Sequence, residues 1–106
     1  MQPMAPRWPA MPPASGWVSS FFCLAQSWYV LDVIRQIIER EGGQMSDVFK
    51  LVQYFRSLDH FPSYSMVRRR FFADDPPIST VVEVSAMLPS DNILIEVEAT
   101  AYLPQR

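Results

Sequence analysis

The stretch Asn92-Ile93-Leu94-Ile95-Glu96-Val97-Glu98-Ala99-Thr100-Ala101-Tyr102-Leu103 decides the reading of the fold. Ile93, Ile95, Val97, Ala99 and Ala101 alternate with Leu94, Glu96, Glu98, Thr100 and Tyr102. Successive side chains of a strand point to opposite faces, so this period of two reads as a β-strand with an apolar face and a face carrying carboxylates. Ser79 to Leu88, just upstream, has the same habit: Thr80, Val82, Val84 and Ala86 alternate with Val81, Glu83 and Ser85. Pro89-Ser90-Asp91 joins the two, and so short a turn predicts antiparallel neighbours.

Further upstream, Asp47 to Arg56 reads as a third strand, with Phe49, Leu51 and Phe55 on one face and Val48, Lys50, Val52 and Tyr54 on the other. Both faces are partly apolar, which suits a middle position in a sheet. Two segments follow the helical period instead. In Gln26 to Glu41, Leu31, Ile34 and Ile38 recur on one face, widened by Trp28, Val30, Val33 and Ile37, with Ser27 as the expected cap. Gly42-Gly43 ends that helix, because glycine accepts the left-handed C-cap. In His60 to Phe72, Tyr64, Val67 and Phe71 share a face, and Asp74-Asp75-Pro76-Pro77 closes the helix because proline forces its predecessor out of helical geometry.

The order helix, strand, helix, strand, strand predicts an α+β fold, a mixed β-sheet with two helices on one face. The face bearing Glu96, Glu98, Thr100 and Tyr102 must then meet water or another subunit. Residues 1–24 stand apart. Five of the ten prolines fall within the first 13 positions, so this part is expected to be a Pro-rich arm, with a short strand over 16–22, ahead of a domain over 25–106. The start lacks the unbroken apolar run of a signal peptide, and no run approaches the roughly 20 apolar residues of a membrane span. The expected location is the cytoplasm.

Composition narrows the chemistry. The chain has 106 residues, nine basic and eleven acidic side chains, one cysteine and one histidine. A net charge of −2 argues against broad nucleic-acid binding. A lone Cys23 leaves no disulfide framework and no thiolate zinc site, and His60 alone cannot build a multi-histidine metal centre in one copy. Cys23, set among Phe21, Phe22 and Leu24, reads as a buried apolar residue, and His60 as a helix-start or surface residue. Arg68-Arg69-Arg70 reads as a solvated basic turn near a helix C-terminus, with a substrate grip as the alternative.

Pro77-Ile78-Ser79-Thr80-Val81-Val82-Glu83-Val84, then Leu88-Pro89, then Ile95-Glu96-Val97-Glu98-Ala99-Thr100-Ala101 resembles the RidA family, also called YjgF or endoribonuclease L-PSP. That family ends in a strand pair of the form R-S-x-V-E-V, then L-P, then I-E-I-E-A-I-A. Leu31-Asp32-Val33-Ile34 is similar to its L-x-N-hydrophobic helix, and Gly42 to Lys50 (G-G-Q-M-S-D-V-F-K) to its turn A-G-x-x-x-D-V-V-K. Phe61 with Phe71-Phe72 matches its second helix. The likeness spans Ala25 to Leu103.

The resemblance implies a chorismate-mutase-like α+β fold that assembles as a homotrimer. Small-molecule imines, enamines or keto acids would sit in clefts between subunits. It also implies hydrolysis of reactive enamines and imines, such as 2-aminoacrylate, to a keto compound and ammonia without metal or organic cofactor. Glu96 matches the family position that places the attacking water and is the expected catalytic residue. Ser79, Val81 and Ser65 match the substrate-binding positions, where the family carries arginine, cysteine and asparagine. Serine offers one neutral donor where arginine offers a charged fork, a difference of about 2–3 kcal/mol in grip. The family's N-terminal strands have no match in residues 1–24, so the fold is expected to be shortened there. The expected activity is therefore an imine deaminase with a substrate different from 2-aminoacrylate, the alternative being a non-catalytic trimer that binds a small metabolite or a protein partner.

Overall fold

The structure, a computed structural model, describes residues 14–104. Helix α1 (Ala14–Arg40) leads through a 3-10 turn at Met45–Asp47 into strand β1 (Val48–Phe55). A second 3-10 turn at Leu58–His60 precedes α2 (Phe61–Phe71), and β2 (Ile78–Glu83) and β3 (Ile95–Ala101) follow. The sheet order is β2-β1-β3, with β1 parallel to β2 and antiparallel to β3. The expected α+β architecture, two helices on one face of a mixed sheet with β1 in the middle, is the one observed.

The core lies between the helices and the sheet. Leu24, Leu31 and Ile38 of α1, Leu51 and Phe55 of β1, Tyr64 and Val67 of α2, and Ile95 of β3 form one buried cluster. The Phe55 ring meets Phe61 at 5.9 Å and Tyr64 at 5.4 Å between centroids, both nearly edge to face, and Trp28 meets Phe71 at 5.1 Å. Leu31 has no exposed surface, and truncating such a residue to alanine costs about 2–5 kcal/mol.

Helix α1 ends as expected. The Gly43 N–H donates to Ile38 O at 2.9 Å and the Gly42 N–H to Glu39 O at 3.1 Å. With Gly42 at φ +84°, this is the paired-bond C-cap that favours glycine.

Four expectations need correction. The segment over 16–22 is helical, and α1 starts at Ala14, directly after Pro13. Once prolines stop interrupting the chain, Cys23, Ser27, Leu31 and Ile38 continue one helical face into the core. The rest of the expected Pro-rich arm, residues 1–13, lies outside the described residues. Ser27 is no cap: it is fully buried inside α1, and its hydroxyl donates to Cys23 O one turn back at 2.7 Å.

Phe49 is 49% exposed, not in the core, because the ladder slips between Val48 and Lys50 and turns Val48 inward in its place. Finally, β2 and β3 are not neighbours: β1 lies between them, two strand spacings or about 9.5 Å across. The crossover through α2 sets β2 parallel against β1, so Pro89-Ser90-Asp91 sits in a long connection over the end of β1 rather than in a hairpin.

Candidate functional site

The register sorts the sheet's side chains into two faces. Leu51, Gln53 and Phe55 stand beside Ser79, Val81 and Glu83 on one side and Ala99, Val97 and Ile95 on the other, all on the helix face. Lys50, Val52 and Tyr54 stand beside Ile78, Thr80 and Val82 and beside Thr100, Glu98 and Glu96 on the opposite face. No described element of the chain covers that second face. Ile78 is 71% exposed there.

At the β1 C-terminal end this open face deepens into a concavity of about 380 Å³. Its floor is Tyr54, Glu96 and Glu98, and its wall is Val84, Ala86, Met87 and Leu88. Glu96 is cross-strand partner to Tyr54 and Glu98 to Val52, and residues two apart on a strand separate their side chains by about 6.5–7 Å.

The wall is fastened at both ends. The Val84 N–H donates to Phe55 O at 2.8 Å, and the Arg56 guanidinium donates to Ser85 O. At the far end the Gln26 side chain donates to Asn92 O at 2.7 Å and accepts from the Leu94 N–H at 2.8 Å, which ties the connection to α1. Met87 is buried while Leu88 is 83% exposed.

A second polar cluster lies on the helix face. Gln53 is fully buried in the middle of β1. Its Oε1 accepts from the Tyr64 hydroxyl at 2.6 Å and from Arg68 Nη1 at 2.9 Å. Its Nε2 donates to Ser79 Oγ at 2.7 Å and to Thr80 O at 2.9 Å. Arg68 Nη1 also donates to Ser79 Oγ at 2.9 Å. Burial pushes the Tyr64 phenol well above its ordinary value, against the pull of the Arg68 charge, so it stays a donor to Gln53.

The expected site residues therefore divide. Glu96 opens into the concavity of the bare face. Ser79 and Val81 turn toward the helix side on the outer strand, Val81 37% exposed. Ser65 is half-buried on α2, three residues before Arg68 and so its neighbour on the helix surface. One copy of the chain does not bring Glu96 together with Ser79, Val81 and Ser65.

The sequence reading missed Tyr54 and Gln53 as site residues, and it raised Arg68 only as one of three arginines with a grip as the alternative. Gln53 had a signal: it is the polar member of an otherwise apolar inward set, Leu51-x-Gln53-x-Phe55. Arg68 is not the expected solvated turn, since it is half-buried and engaged, whereas Arg69 is exposed. Cys23 is buried as expected, its thiol near Ser27 Oγ at 3.8 Å and against His60 O at 3.4 Å, and burial pushes its pKa up. His60 stands at the start of α2 with no side-chain capping bond. Among the described residues no group of carboxylates, histidines and cysteine gathers to hold a metal ion, and no helix is long and apolar enough to cross a membrane.

The family model described as endoribonuclease L-PSP matches residues 12–103. A candidate endoribonuclease solved from Klebsiella pneumoniae superposes with a TM-score of 0.82 at 60% identity, covering 90% of this chain and 70% of that one. A RutC family protein of Pyrococcus horikoshii is 38% identical over 77 residues, or 73% of this chain and 60% of that protein. A 2-iminobutanoate/2-iminopropanoate deaminase of Dermatophagoides farinae is 31% identical over 70 residues, or 66% of this chain and 53% of that protein. The chain thus spans about 60% of the length of the first curated relatives it matches.

Proposed function

Because the chain belongs to the endoribonuclease L-PSP family, known also as RidA or YjgF, we propose that it hydrolyses a reactive imine or enamine to a carbonyl compound and ammonia. Its substrate on this reading is not 2-aminoacrylate. The observation that carries the reading is the position of Glu96: a carboxylate on the floor of a concavity, beside Tyr54, on a sheet face that no described element covers.

The chemistry asked of this site is modest. A water oxygen bonds to the imine carbon as the C=N π electrons move to nitrogen. Glu96 accepts a proton from that water and delivers one to the nitrogen. Glu96 then takes the proton of the hydroxyl so formed and passes it to the nitrogen; the C–O π bond forms as the C–N bond breaks, ammonia leaves and the carbonyl remains. Atoms and electrons balance with water alone, and a positioned carboxylate is a suitable proton shuttle. Tyr54, across from Glu96, provides a hydroxyl and a ring wall for the reacting carbon.

The division of Glu96 from Ser79, Val81 and Ser65 supports an assembly. A pocket that uses both sets needs the open face of one protomer against the strand edge of another, as in a homotrimer with clefts at its seams.

The test is ammonia release from imines generated in place by an amino-acid oxidase. The chain accelerates release from at least one of them, and Glu96→Gln lowers that acceleration by about 10²–10⁴-fold. Equal rates with and without the protein across such imines would sink the proposal. One observation, Ser79 at the position of the family's arginine, favours the non-catalytic alternative. Thermal stabilisation by keto acids with no turnover of any imine would select it.

A further inference from the structure

The connection between β2 and β3, residues 84–94, is neither helix nor strand, yet it builds the wall of the concavity and delivers the chain to Glu96. Its exit is held from two sides. The Arg56 N–H donates to Leu94 O at 3.1 Å, and β1 ends one residue earlier at Phe55. The Leu94 N–H turns to a side chain instead: it donates to Gln26 Oε1 at 2.8 Å, while Gln26 Nε2 donates to Asn92 O at 2.7 Å. Inside the connection the Asn92 N–H donates to Ser90 Oγ at 3.0 Å, which holds the turn but not its place in the fold. Among the described residues, Arg56 and Gln26 supply the polar contacts from this exit to the rest of the molecule.

Gln26 acts here as a piece of ladder. An acceptor for one N–H and a donor to the carbonyl two residues before it are what the C=O and N–H of one residue in a parallel neighbouring strand present. The carboxamide cannot be turned over, because the reverse would set oxygen against the Asn92 carbonyl and nitrogen against the Leu94 N–H. Gln26 can serve because α1 is fixed on either side of it: Cys23 and Ser27 are fully buried. The clasp closes two residues before Glu96, where β3 begins and its ladder to β1 comes to an end.

We propose that Gln26 is a positioning residue of the imine-hydrolysing site. Its carboxamide fixes the start of β3, and with it the stance of Glu96 on the floor of the concavity against the wall that the same connection supplies. The inference rests on the deaminase reading, but the placement of Glu96 can be read without turnover. Gln26 acts through the backbone of Asn92 and Leu94 and not on the substrate itself. A reacting group displaced by about 1 Å costs up to about 10²-fold in rate, and the Arg56 rung remains when the clasp is lost, so the expected loss is about tenfold.

The experiment uses the full chain and two nearly isosteric variants. Gln26→Met loses both hydrogen bonds. Gln26→Glu keeps the acceptor for the Leu94 N–H, and its introduced carboxyl reproduces the donor to Asn92 O only while protonated; ionised, it sets a second oxygen against that carbonyl. At about pH 8 both variants, folded by circular dichroism, lower kcat/KM for oxidase-generated imines by about tenfold. As pH falls to about 5, the ratio of Gln26→Glu to wild type climbs back while that of Gln26→Met stays flat. The other ionisable groups near the clasp, Asp91 and Glu96 along the chain and Arg56 at the end of β1, are common to all three proteins and cancel in the ratio; between residues 22 and 30 α1 carries no carboxylate or basic side chain. The Glu96 carboxyl ¹³C resonance, identified by its loss in Glu96→Gln, is displaced in Gln26→Met. If Gln26→Met fails to fold, Gln26→Glu still decides the matter.

A Gln26→Met protein as active as wild type, or a Gln26→Glu ratio that does not move with pH, overturns the positioning role. A contribution to overall stability alone leaves both ratios at unity wherever the proteins are folded. The two readings fail separately. Turnover that depends on Glu96 but not on Gln26 overturns the positioning role alone. No imine turnover by the wild type overturns the deaminase reading, and the Glu96 resonance then decides: displaced in a folded variant it upholds the placement, unmoved it overturns it.

Discussion

Replacing Gln53 by leucine tests the polar centre of the fold. The new side chain is close in size, so the cavity contribution is small, and the loss falls on four hydrogen bonds. Their consequences differ by exposure. Ser79 and Thr80 are exposed and Arg68 is half-buried, so water replaces much of what they lose. Tyr64 is fully buried, and its hydroxyl is left without an acceptor, which costs about 1–3 kcal/mol.

With a fraction of the remaining three bonds added, Gln53→Leu destabilises by about 2–5 kcal/mol. At a urea slope of about 2 kcal/mol/M the unfolding midpoint falls by about 1–2.5 M. The titration must hold protomer concentration fixed, since assembly contributes to apparent stability. The decisive measurement is the cycle with Tyr64→Phe. Removing the hydroxyl from Gln53→Leu removes the stranded donor, so the double variant is more stable than the sum of the single losses by about 1–2 kcal/mol. Additive losses, or a Gln53→Leu midpoint within error of wild type, refute the account of this network.

Other perturbations have definite outcomes. Gly42→Ala places a β-carbon at φ +84° in open space, so its cost of about 1 kcal/mol is purely conformational and Gly42→Asn recovers part of it; urea melts of the two variants check this. Partial desolvation works to raise the Asp32 carboxyl, but hydrogen bonds from Arg35 and Gln36 and the Arg35 charge outweigh it and hold the carboxyl below its ordinary range. Its stabilising contribution is therefore present above the unfolded value and is lost as pH falls through the lowered native one, so Asp32→Asn flattens the acid branch of a stability–pH curve, by under about 1 kcal/mol for a half-buried pair on a helix surface. The raised Tyr64 phenol acts at the other end: its contribution is full below the unfolded value of about 10 and is lost as pH rises toward the native one, a loss that Tyr64→Phe removes from alkaline melts. Val82→Glu puts a charge on the open face beside Tyr54, and light scattering is expected to show a smaller particle than wild type, whereas an unchanged mass would speak against packing through that face.

The alternation from Ile95 to Ala101 fixed by itself which side chains share a face of β3, because a strand's period of two is a local property of the backbone. The Gly42-Gly43 stop and the bounds of α2 were legible for the same reason, since capping and proline sterics act over a few residues. Glu96 on the carboxylate face followed from the alternation, and its role from the resemblance. Strand order did not follow: Pro89-Ser90-Asp91 has the local chemistry of a hairpin turn, and only the crossover through α2, which seats β2 against β1, forbids it. The helical state of residues 14–25 was decided by where Cys23 and Leu24 could be buried, and the outward turn of Phe49 by a slip in the ladder to β3. Arg68 is the clearest case. Three consecutive arginines look equivalent along the chain, and what singles out the first is a buried glutamine fifteen residues earlier and a serine eleven residues later, brought within hydrogen-bond reach because the chain's conformation, unlike its composition, is set by contacts distant in sequence.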